Sequence, residues 1–281
     1  MACQGGELAK RVGVALVGIP VALGAMYQGG YWLIGFLAVL AGLAAWEFGR
    51  MHREVALPNA PALAALLAAG YLLLAGTLLP AELITWAAII TLIGAVSLML
   101  MAPPEARPGH SVMVVTFGAL LTGGLLVFAV WLRGIEGSEA GLRGAAILFL
   151  PVAVTWLGDT AAYFTGHAIG RHKLAPKISP GKTVEGAVGG LIATAGGALL
   201  YVGLTRPLVG WSLGTVQVLG LGVLVAVAGQ IGDLFESRFK RECGVKDSSS
   251  LFPGHGGALD RLDSLLFVFP IAYAYLRIVG V

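Results

Sequence analysis

Charged residues are scarce in this sequence. Asp, Glu, Lys and Arg together make up 12% of the chain, whereas hydrophobic residues make up 57%. Soluble globular domains carry about 25% charged residues, so this composition excludes an ordinary soluble domain. It predicts an integral membrane protein, because long apolar segments with few charges are typical of membrane-spanning helices.

Cysteine is nearly absent as well. Cys3 and Cys243 are the two cysteines, and the sequence has neither a CxxC pattern nor the His/Cys spacing of a zinc site. This argues against a disulfide framework and a structural zinc centre, and we expect two free thiols. The sequence also lacks a long soluble segment, an obvious internal repeat and a low-complexity tail.

Apolar segments separated by short polar links fill the chain, and they predict an all-α, polytopic membrane protein with about nine transmembrane helices. The first two segments are shorter than the usual range of about 17–25 residues. They either cross a locally thinned bilayer or form a partly re-entrant hairpin. The predicted segments are 12–27, 31–45, 60–79, 83–101, 111–132, 144–164, 186–204, 208–231 and 262–280.

The 18 Lys and Arg residues indicate the orientation of the chain. A cytoplasmic N-terminus leaves four of them outside and the rest inside, in agreement with the positive-inside rule. Two charged loops, 165–185 and 232–264, then face the cytoplasm, where nucleotides are found. We expect a multi-pass protein of the cell inner (plasma) membrane, with about five spans in residues 1–143 and a catalytic region in residues 144–281. The outer cations are Arg133, Arg143, Arg206 and Arg277.

Charge is concentrated in the stretch 232–264, which holds eleven of the chain's 18 basic and 15 acidic residues. Asp260 and Asp263 lie three residues apart at the start of the last segment, so they share one face if that turn is helical. Asp233, at the inner end of the preceding segment, could add further oxygen ligands. A few carboxylates combined with substrate phosphates suit Mg²⁺. The alternative is that these Asp residues cap helices and pair with neighbouring cations, Lys240 and Arg261 among them.

Asp159 lies inside the apolar segment 144–164. An unpaired carboxylate costs several kcal/mol in hydrocarbon, so its side chain should face a cavity or a partner. We therefore predict that Asp159 contributes to the same metal site.

Residues 177–186 read Lys-Ile-Ser-Pro-Gly-Lys-Thr-Val-Glu-Gly. The Gly-Lys-Thr is not part of a P-loop, because Pro176 stands where the Walker pattern needs a glycine and no parallel strand precedes it. What remains is a basic, hydroxyl-bearing loop at the predicted start of a helix, where backbone N–H groups and the helix dipole favour phosphate. We predict that Ser179, Lys182 and Thr183 bind phosphate. The alternative is a positive-inside loop that anchors the next segment.

The glycines around His255 would let the backbone approach a ligand closely, so we predict phosphate contacts for His255 and Gly256. Cations next to a membrane segment attract anionic headgroups in general. In an enzyme with a phospholipid substrate, the same attraction would capture the substrate. The cations to which we extend this prediction are Arg238, Lys240, Arg241, Lys246 and Arg261.

Three blocks of this sequence resemble the signature of the phosphatidate cytidylyltransferases, also called CDP-diacylglycerol synthases. The longest runs from Ser237 to Asp263 and contains Ser-Arg-Phe-Lys-Arg, Lys-Asp and Pro-Gly-His-Gly-Gly-Ala-Leu-Asp-Arg-Leu-Asp. The others are Asp-Thr-Ala-Ala-Tyr at 159–163 and Ser-Pro-Gly-Lys-Thr-Val-Glu-Gly at 179–186. Gly181 departs from the pattern, since a second lysine or another polar residue is expected there. The region before these blocks matches in hydropathy alone.

The resemblance implies that a cytidylyl group is transferred from CTP to phosphatidate, giving CDP-diacylglycerol and pyrophosphate in phospholipid biosynthesis. It implies Mg²⁺ as cofactor, with a second cation plausible beside it. Asp233, Asp260, Asp263 and Lys182 would then act in catalysis, and Asp233, Asp260 and Asp159 would bind the metal. The implied partners are CTP, phosphatidate and membrane lipids, with no nucleic acid, and the family implies a homodimer.

Two other functional classes remain open at this stage. A transporter or channel could use Asp159 in an ion path, although the charge lies at one membrane face and no inverted repeat is apparent. A membrane lipid kinase that uses CTP would release CDP, whereas a cytidylyltransferase releases pyrophosphate. The co-product therefore separates these two enzyme classes.

Overall fold

The computed structural model describes residues 2–103, 108–135, 141–252, 254 and 256–280. Over this part of the chain the backbone forms nine helices and two short strands, which confirms the all-α prediction. The helix Pro108–Arg133 contains a π-helical turn at Leu120–Gly124. In chain order the elements are α1 (Ala2–Gln28), α2 (Gly30–Met51), α3 (Ala60–Ala75), α4 (Pro80–Met101), α5 (Pro108–Arg133), α6 (Leu142–Ile169), β1 (Lys173–Ala175), β2 (Ser179–Thr183), α7 (Val184–Val209), α8 (Thr215–Glu242) and α9 (Ala258–Ile278).

Six of the described helices are long and apolar enough to cross a membrane, namely α2, α4, α5, α6, α7 and α8. The apolar helix α3 is shorter, at 16 residues. The class of polytopic membrane protein is therefore confirmed. The number of spans and the side on which the N-terminus lies stay predictions.

The charged stretch that we predicted as a loop from residue 232 begins as helix. The helix α8 continues to Glu242 and carries two ion pairs between residues four positions apart. Glu236 pairs with Lys240 at 3.2 Å, and Arg238 pairs with Glu242 at 3.0 Å. These cations consequently project from a rigid helix whose side chains have fixed neighbours.

The link before α8 also differs from the prediction, which placed the start of a span at residue 208. The helix α7 instead continues through Pro207 to Val209 and ends at Gly210. Gly210 has φ +66°, a left-handed conformation that glycine adopts readily and that commonly terminates helices. The helix α8 then begins at Thr215.

A β-hairpin occupies most of the predicted basic loop 165–185. Strand β1 pairs antiparallel with β2, with Lys173 opposite Thr183 and Ala175 opposite Ser179. The hairpin fixes the alternation of side chains along β2. It therefore sets the direction in which the polar residues of this loop point.

The chain divides into two compact units. The first comprises Met1–Val130 and Cys243–Leu262, and the second comprises Trp131–Glu242 and Asp263–Val281. In the first unit, Gly123 of α5 lies so close to Ala68 of α3 that no side chain would fit between them. Such contacts between small residues are typical of helices packed in membranes, where close approach replaces the hydrophobic driving force.

Small residues also join α6 and α7 in the second unit. Gly158 and Ala162 of α6 face Gly190 of α7, and a Cβ added to Gly190 would lie 3.0 Å from the Ala162 Cβ. The glycine at 190 therefore allows the two helices to pack closely. Close contact of these two helices brings the carboxyl end of α6 beside the amino end of α7.

Candidate active site

A cavity of about 490 Å³ lies within the second unit. Its walls come from the carboxyl half of α6, the β-hairpin, the first turn of α7 and the middle of α8. The volume falls in the range of about 300–1,000 Å³ that is usual for small-molecule sites. The predicted site residues that line this cavity are Asp159, Ser179, Lys182, Thr183 and Asp233.

Lys182 and Asp233 form the central contact of the cavity. The Lys182 Nζ lies 2.5 Å from the Asp233 Oδ2, and the two side chains are 28% and 32% exposed. The other oxygen of Asp233 accepts a hydrogen bond of 3.3 Å from the Ser237 hydroxyl, one turn further along α8. The carboxylate is thus oriented by its own helix on one side and by the hairpin lysine on the other.

Asp159 reaches the same cavity from α6. Its carboxylate lies close enough to Asp233 and Lys182 to interact electrostatically with both. The prediction that this intramembrane carboxylate faces a cavity is therefore confirmed. Two carboxylates beside one lysine leave a net negative charge, which favours binding of a cation.

Asp263 stands near the same group of charges in the second unit. Its Oδ1 accepts a hydrogen bond of 2.6 Å from the Ser264 backbone N–H, and the charges of Asp233, Asp159 and Lys240 act on it. A catalytic role for Asp263 stays a prediction.

The donor set is compatible with Mg²⁺. In the described residues, no three His, Cys, Asp or Glu side chains form a group that could hold a metal ion by themselves. Mg²⁺ does not need such a cage, because it binds through one or two carboxylates and takes its other ligands from water and substrate phosphates. Asp233 and Asp159 fit that pattern.

Thr183 has a defined structural role at the start of α7. Its Oγ1 accepts a hydrogen bond of 3.1 Å from the Gly186 N–H, which is a standard helix N-cap. The Val184 N–H donates to the His172 carbonyl at 2.9 Å. These two N–H groups already donate hydrogen bonds within the protein. Neither is therefore available for the phosphate contact predicted at the start of this helix. Ser179 lies at the beginning of β2, half-buried on the cavity wall.

Glu185 holds the hairpin against α7, a role that the sequence did not suggest. Its carboxylate accepts hydrogen bonds from the backbone N–H groups of Arg171 and His172 and lies 2.6 Å from the His172 Nδ1. At the other end of the hairpin, the Arg241 Nε donates to the Ile178 carbonyl at 3.3 Å. Glu185 lies in the sequence block 179–186. The feature that could have indicated a structural role is an acidic residue in the first turn of a predicted helix.

The cations of α8 differ in accessibility. Lys240 is nearly buried and pairs with the equally buried Glu236, whereas Arg238 is exposed and pairs with Glu242. Arg241 contributes to the hairpin contact described above. Phosphate binding by any of them stays a prediction, and Lys240 is the least accessible of the three.

In the first unit, Asp260 forms a capping network at the start of α9. Its Oδ2 accepts hydrogen bonds from the Gly257 N–H at 2.8 Å and from the Ser248 N–H and hydroxyl at 2.9 and 2.8 Å. This is the capping alternative that the sequence left open. Gly256 has φ +79°, and a side chain there would collide with the Asp260 carboxylate. The backbone conformation of Gly256 and its closeness to Asp260 therefore explain the glycine at this position without a bound ligand.

Glu47 of α2 is the buried residue that sequence reasoning missed. It is 1% exposed and accepts hydrogen bonds from the backbone N–H groups of Ala258 and Leu259 at 3.0 and 2.9 Å. The Ser249 hydroxyl donates to the same carboxylate at 2.6 Å, and the Ser248 hydroxyl oxygen lies 2.9 Å from it. One side chain thus holds both the amino end of α9 and the loop before it.

Three further residues were predicted to contact phosphate. Lys246 and Arg261 are exposed. His255 lies outside the described residues. Their predicted phosphate contacts stay predictions.

Comparison with known proteins gives, among others, matches that cover between 66% of this chain and nearly all of it. A sequence profile of the Cytidylyltransferase family matches residues 9–279. The chain is 34% identical over 258 residues to the phosphatidate cytidylyltransferase of Staphylococcus saprophyticus, covering 92% of this chain and 94% of that protein. It is 33% identical over 259 residues to that of Staphylococcus aureus strain COL, with the same coverage. The uncharacterized protein YnbB of Escherichia coli K12 is 39% identical over 186 residues, and the match spans 60% of its length.

Proposed function

Because the chain belongs to the cytidylyltransferase family, we propose that it transfers a cytidylyl group from CTP to phosphatidate. The products are CDP-diacylglycerol and pyrophosphate. The two staphylococcal relatives named phosphatidate cytidylyltransferase support this choice of substrates. The observation that carries the proposal is the meeting of Asp159, Lys182 and Asp233 in one cavity, because each comes from a different part of the chain.

The reaction is a nucleophilic displacement at the α-phosphorus of CTP. An oxygen of the phosphatidate phosphate forms a new bond to that phosphorus, and the bond to the oxygen that bridges to the β-phosphate breaks. The attacking oxygen is already anionic near neutral pH, so no strong general base is needed. The obstacle is the approach of two polyanions, and a preorganised cation lowers it.

Lys182 is the described cation best suited to that task. It lines the cavity and is partly exposed, and its ammonium is held by the Asp233 carboxylate. A flexible lysine can leave one anionic partner for another, so we propose that it neutralises the phosphates of CTP and the departing pyrophosphate.

Asp233 and Asp159 would hold Mg²⁺ in this proposal. Bound there, the ion would neutralise phosphate charge and orient the leaving group. The carboxylates are positioned for this by neighbours that are part of the fold, such as the Ser237 hydroxyl on Asp233. Outer contacts of this kind fix the direction of a metal ligand.

We further propose that the cavity opens to the cytoplasmic side of the cell inner membrane. The positive-inside distribution of the cations supports this orientation. Phosphatidate would enter from the inner leaflet with its acyl chains in the lipid, and exposed cations such as Arg238 would attract its headgroup. A homodimer remains an expectation from the family.

The test uses purified protein in detergent with phosphatidate, Mg²⁺ and CTP labelled at the α-phosphate. We expect the label in the lipid and an equal amount of pyrophosphate, both abolished by EDTA. Label-free lipid with release of CDP would identify a lipid kinase instead. If folded protein neither labels the lipid nor releases pyrophosphate or CDP, the proposal is contradicted and a transporter is favoured.

A further inference from the structure

Two aromatic side chains line one end of the cavity. Tyr163 and His167 both lie on α6, and their rings are within 3° of parallel, with centroids 6.2 Å apart. Leu174 of β1 also lines the cavity. This end of the cavity therefore offers flat and apolar surface, in contrast to the charged end around Lys182.

The two ends are arranged along one helix. Asp159, Tyr163 and His167 follow one another at intervals of four residues, so they lie on one side of α6 and each interval advances about 6 Å. If a ligand places its anionic groups beside Lys182, the part of the ligand that lies one or two helical turns further along α6 would contact the aromatic rings. A nucleotide has this division into a polyanionic end and a flat, aromatic end.

We propose that Tyr163 and His167 form the base-recognition part of the site, with the nucleotide base stacked on the Tyr163 ring. This inference rests on the proposed function. Stacking on aromatic side chains is a common way in which proteins hold unpaired bases. The imidazole of His167 can donate or accept at its ring nitrogens, which makes it the polar group beside the stack that can contact the edge of the base.

A different role for Tyr163 must be separated from this one. Aromatic side chains are enriched where helices meet the membrane surface, and Tyr163 is 68% exposed. Phe164, the next residue, provides a matched control because it is 64% exposed and packs edge-to-face against Tyr163. It lies outside the cavity lining, so a role at the membrane surface would be shared by both residues, whereas a role in base binding would belong to Tyr163.

The experiment measures equilibrium binding of CTP and of inorganic tripolyphosphate to the full chain in detergent with Mg²⁺. Tripolyphosphate carries the charges of the nucleotide without its base. We expect Tyr163→Ala to weaken CTP binding at least about fivefold, the lower end of what loss of one stacking contact costs. Its tripolyphosphate binding should stay at the wild-type level, which also shows that the variant is folded. Tyr163→Phe, which keeps the ring, and Phe164→Ala should both bind CTP like the wild type.

Three results would overturn the inference. Equal weakening for CTP and tripolyphosphate in Tyr163→Ala would assign the loss to the charged end or to the fold. A loss in Tyr163→Phe as large as in Tyr163→Ala would assign the effect to the hydroxyl. An equal loss in Phe164→Ala would indicate a membrane-surface role. If wild-type protein binds tripolyphosphate but shows no preference for CTP and labels no lipid, the proposed function itself is wrong.

Discussion

The Lys182 Nζ lies 2.5 Å from the Asp233 Oδ2, and both side chains remain partly exposed to the cavity that Asp159 also lines. Lys182 comes from the β-hairpin and Asp233 from α8, so the contact links two elements of the second unit. An exposed ion pair of this kind contributes little to stability, about 0–1 kcal/mol. Its position at the centre of a ligand-sized cavity gives it a functional meaning instead.

Substitution of Lys182 by alanine should affect CTP more than the lipid. If this ammonium neutralises nucleotide phosphates, Lys182→Ala raises the apparent KM for CTP by about tenfold or more, as expected for the loss of one charge-assisted contact. The KM for phosphatidate should change less. Steady-state kinetics with each substrate varied in turn measures both values.

Lys177→Ala is the matched control, because Lys177 is an exposed cation in the turn of the same hairpin. It should leave both KM values near those of the wild type. If Lys182→Ala raises the KM for phosphatidate more than that for CTP, Lys182 contacts the lipid headgroup and the assignment made here is wrong.

Asp260→Asn distinguishes metal binding from helix capping. The hydrogen bonds described for Asp260 all reach its Oδ2. An asparagine with its side-chain oxygen in that place can still accept these hydrogen bonds but carries no charge. If Asp260 is a metal ligand, as the sequence predicts, turnover falls by more than about a hundredfold in a folded, membrane-inserted protein, whereas a residue that only caps α9 leaves most of the turnover in place. Added Mg²⁺ should not restore the full rate.

The exposed Asp247 supplies the control for this variant, and Asp247→Asn should retain activity. Substantial residual turnover in Asp260→Asn would mean that Asp260 is not a metal ligand. The capping network would then be its whole role.

Glu47→Gln should destabilise the protein. Each carboxylate oxygen of Glu47 accepts one backbone N–H, from Ala258 on Oε1 and from Leu259 on Oε2, so a glutamine presents its NH₂ group to one of these donors in either orientation. A buried donor left without an acceptor costs about 1–3 kcal/mol. Thermal unfolding in detergent should show a lower Tm, by roughly 2–4 °C per kcal/mol.

Glu54→Gln, at an exposed position just beyond α2, should leave the Tm unchanged. An unchanged Tm in Glu47→Gln as well would mean that the carboxylate is not needed to hold the amino end of α9.

Thr183→Ala separates the helix cap from a direct phosphate contact. Loss of the cap on the Gly186 N–H should cost about 1 kcal/mol of stability, whereas Thr183→Ser keeps the hydroxyl and should cost little. We expect the KM for CTP to rise less than in Lys182→Ala. A rise as large as in that variant, with unchanged stability, would show that Thr183 acts mainly on phosphate.

The sequence alone predicted much of the charged site. Because an unpaired carboxylate is costly inside an apolar segment, the sequence predicted that Asp159 faces a cavity or a partner, and Asp159 does line the cavity. Lys182 and Asp233 were predicted from loop composition and from their position at the end of a span. The structure brings these residues to one cavity.

The contacts that the sequence did not predict are those made over long distances along the chain. Glu47 lies 211 residues before Ala258, and nothing in its local pattern indicates a buried acceptor. Asp260 was read mainly as a metal ligand because its hydrogen bonds depend on the path of the loop around Ser248. The short hairpin also escaped prediction, since three residues of β1 show no usable periodicity.

The most direct test of the central claim is Asp233→Asn in the labelled CTP assay. If the cavity of the second unit is the site of cytidylyl transfer, this variant should lose more than about a hundredfold in both lipid labelling and pyrophosphate release while remaining folded. Glu242→Gln, at an exposed position on the same helix, should keep wild-type rates. Near-normal labelling of the lipid by Asp233→Asn would contradict the claim and place the reaction elsewhere in the protein.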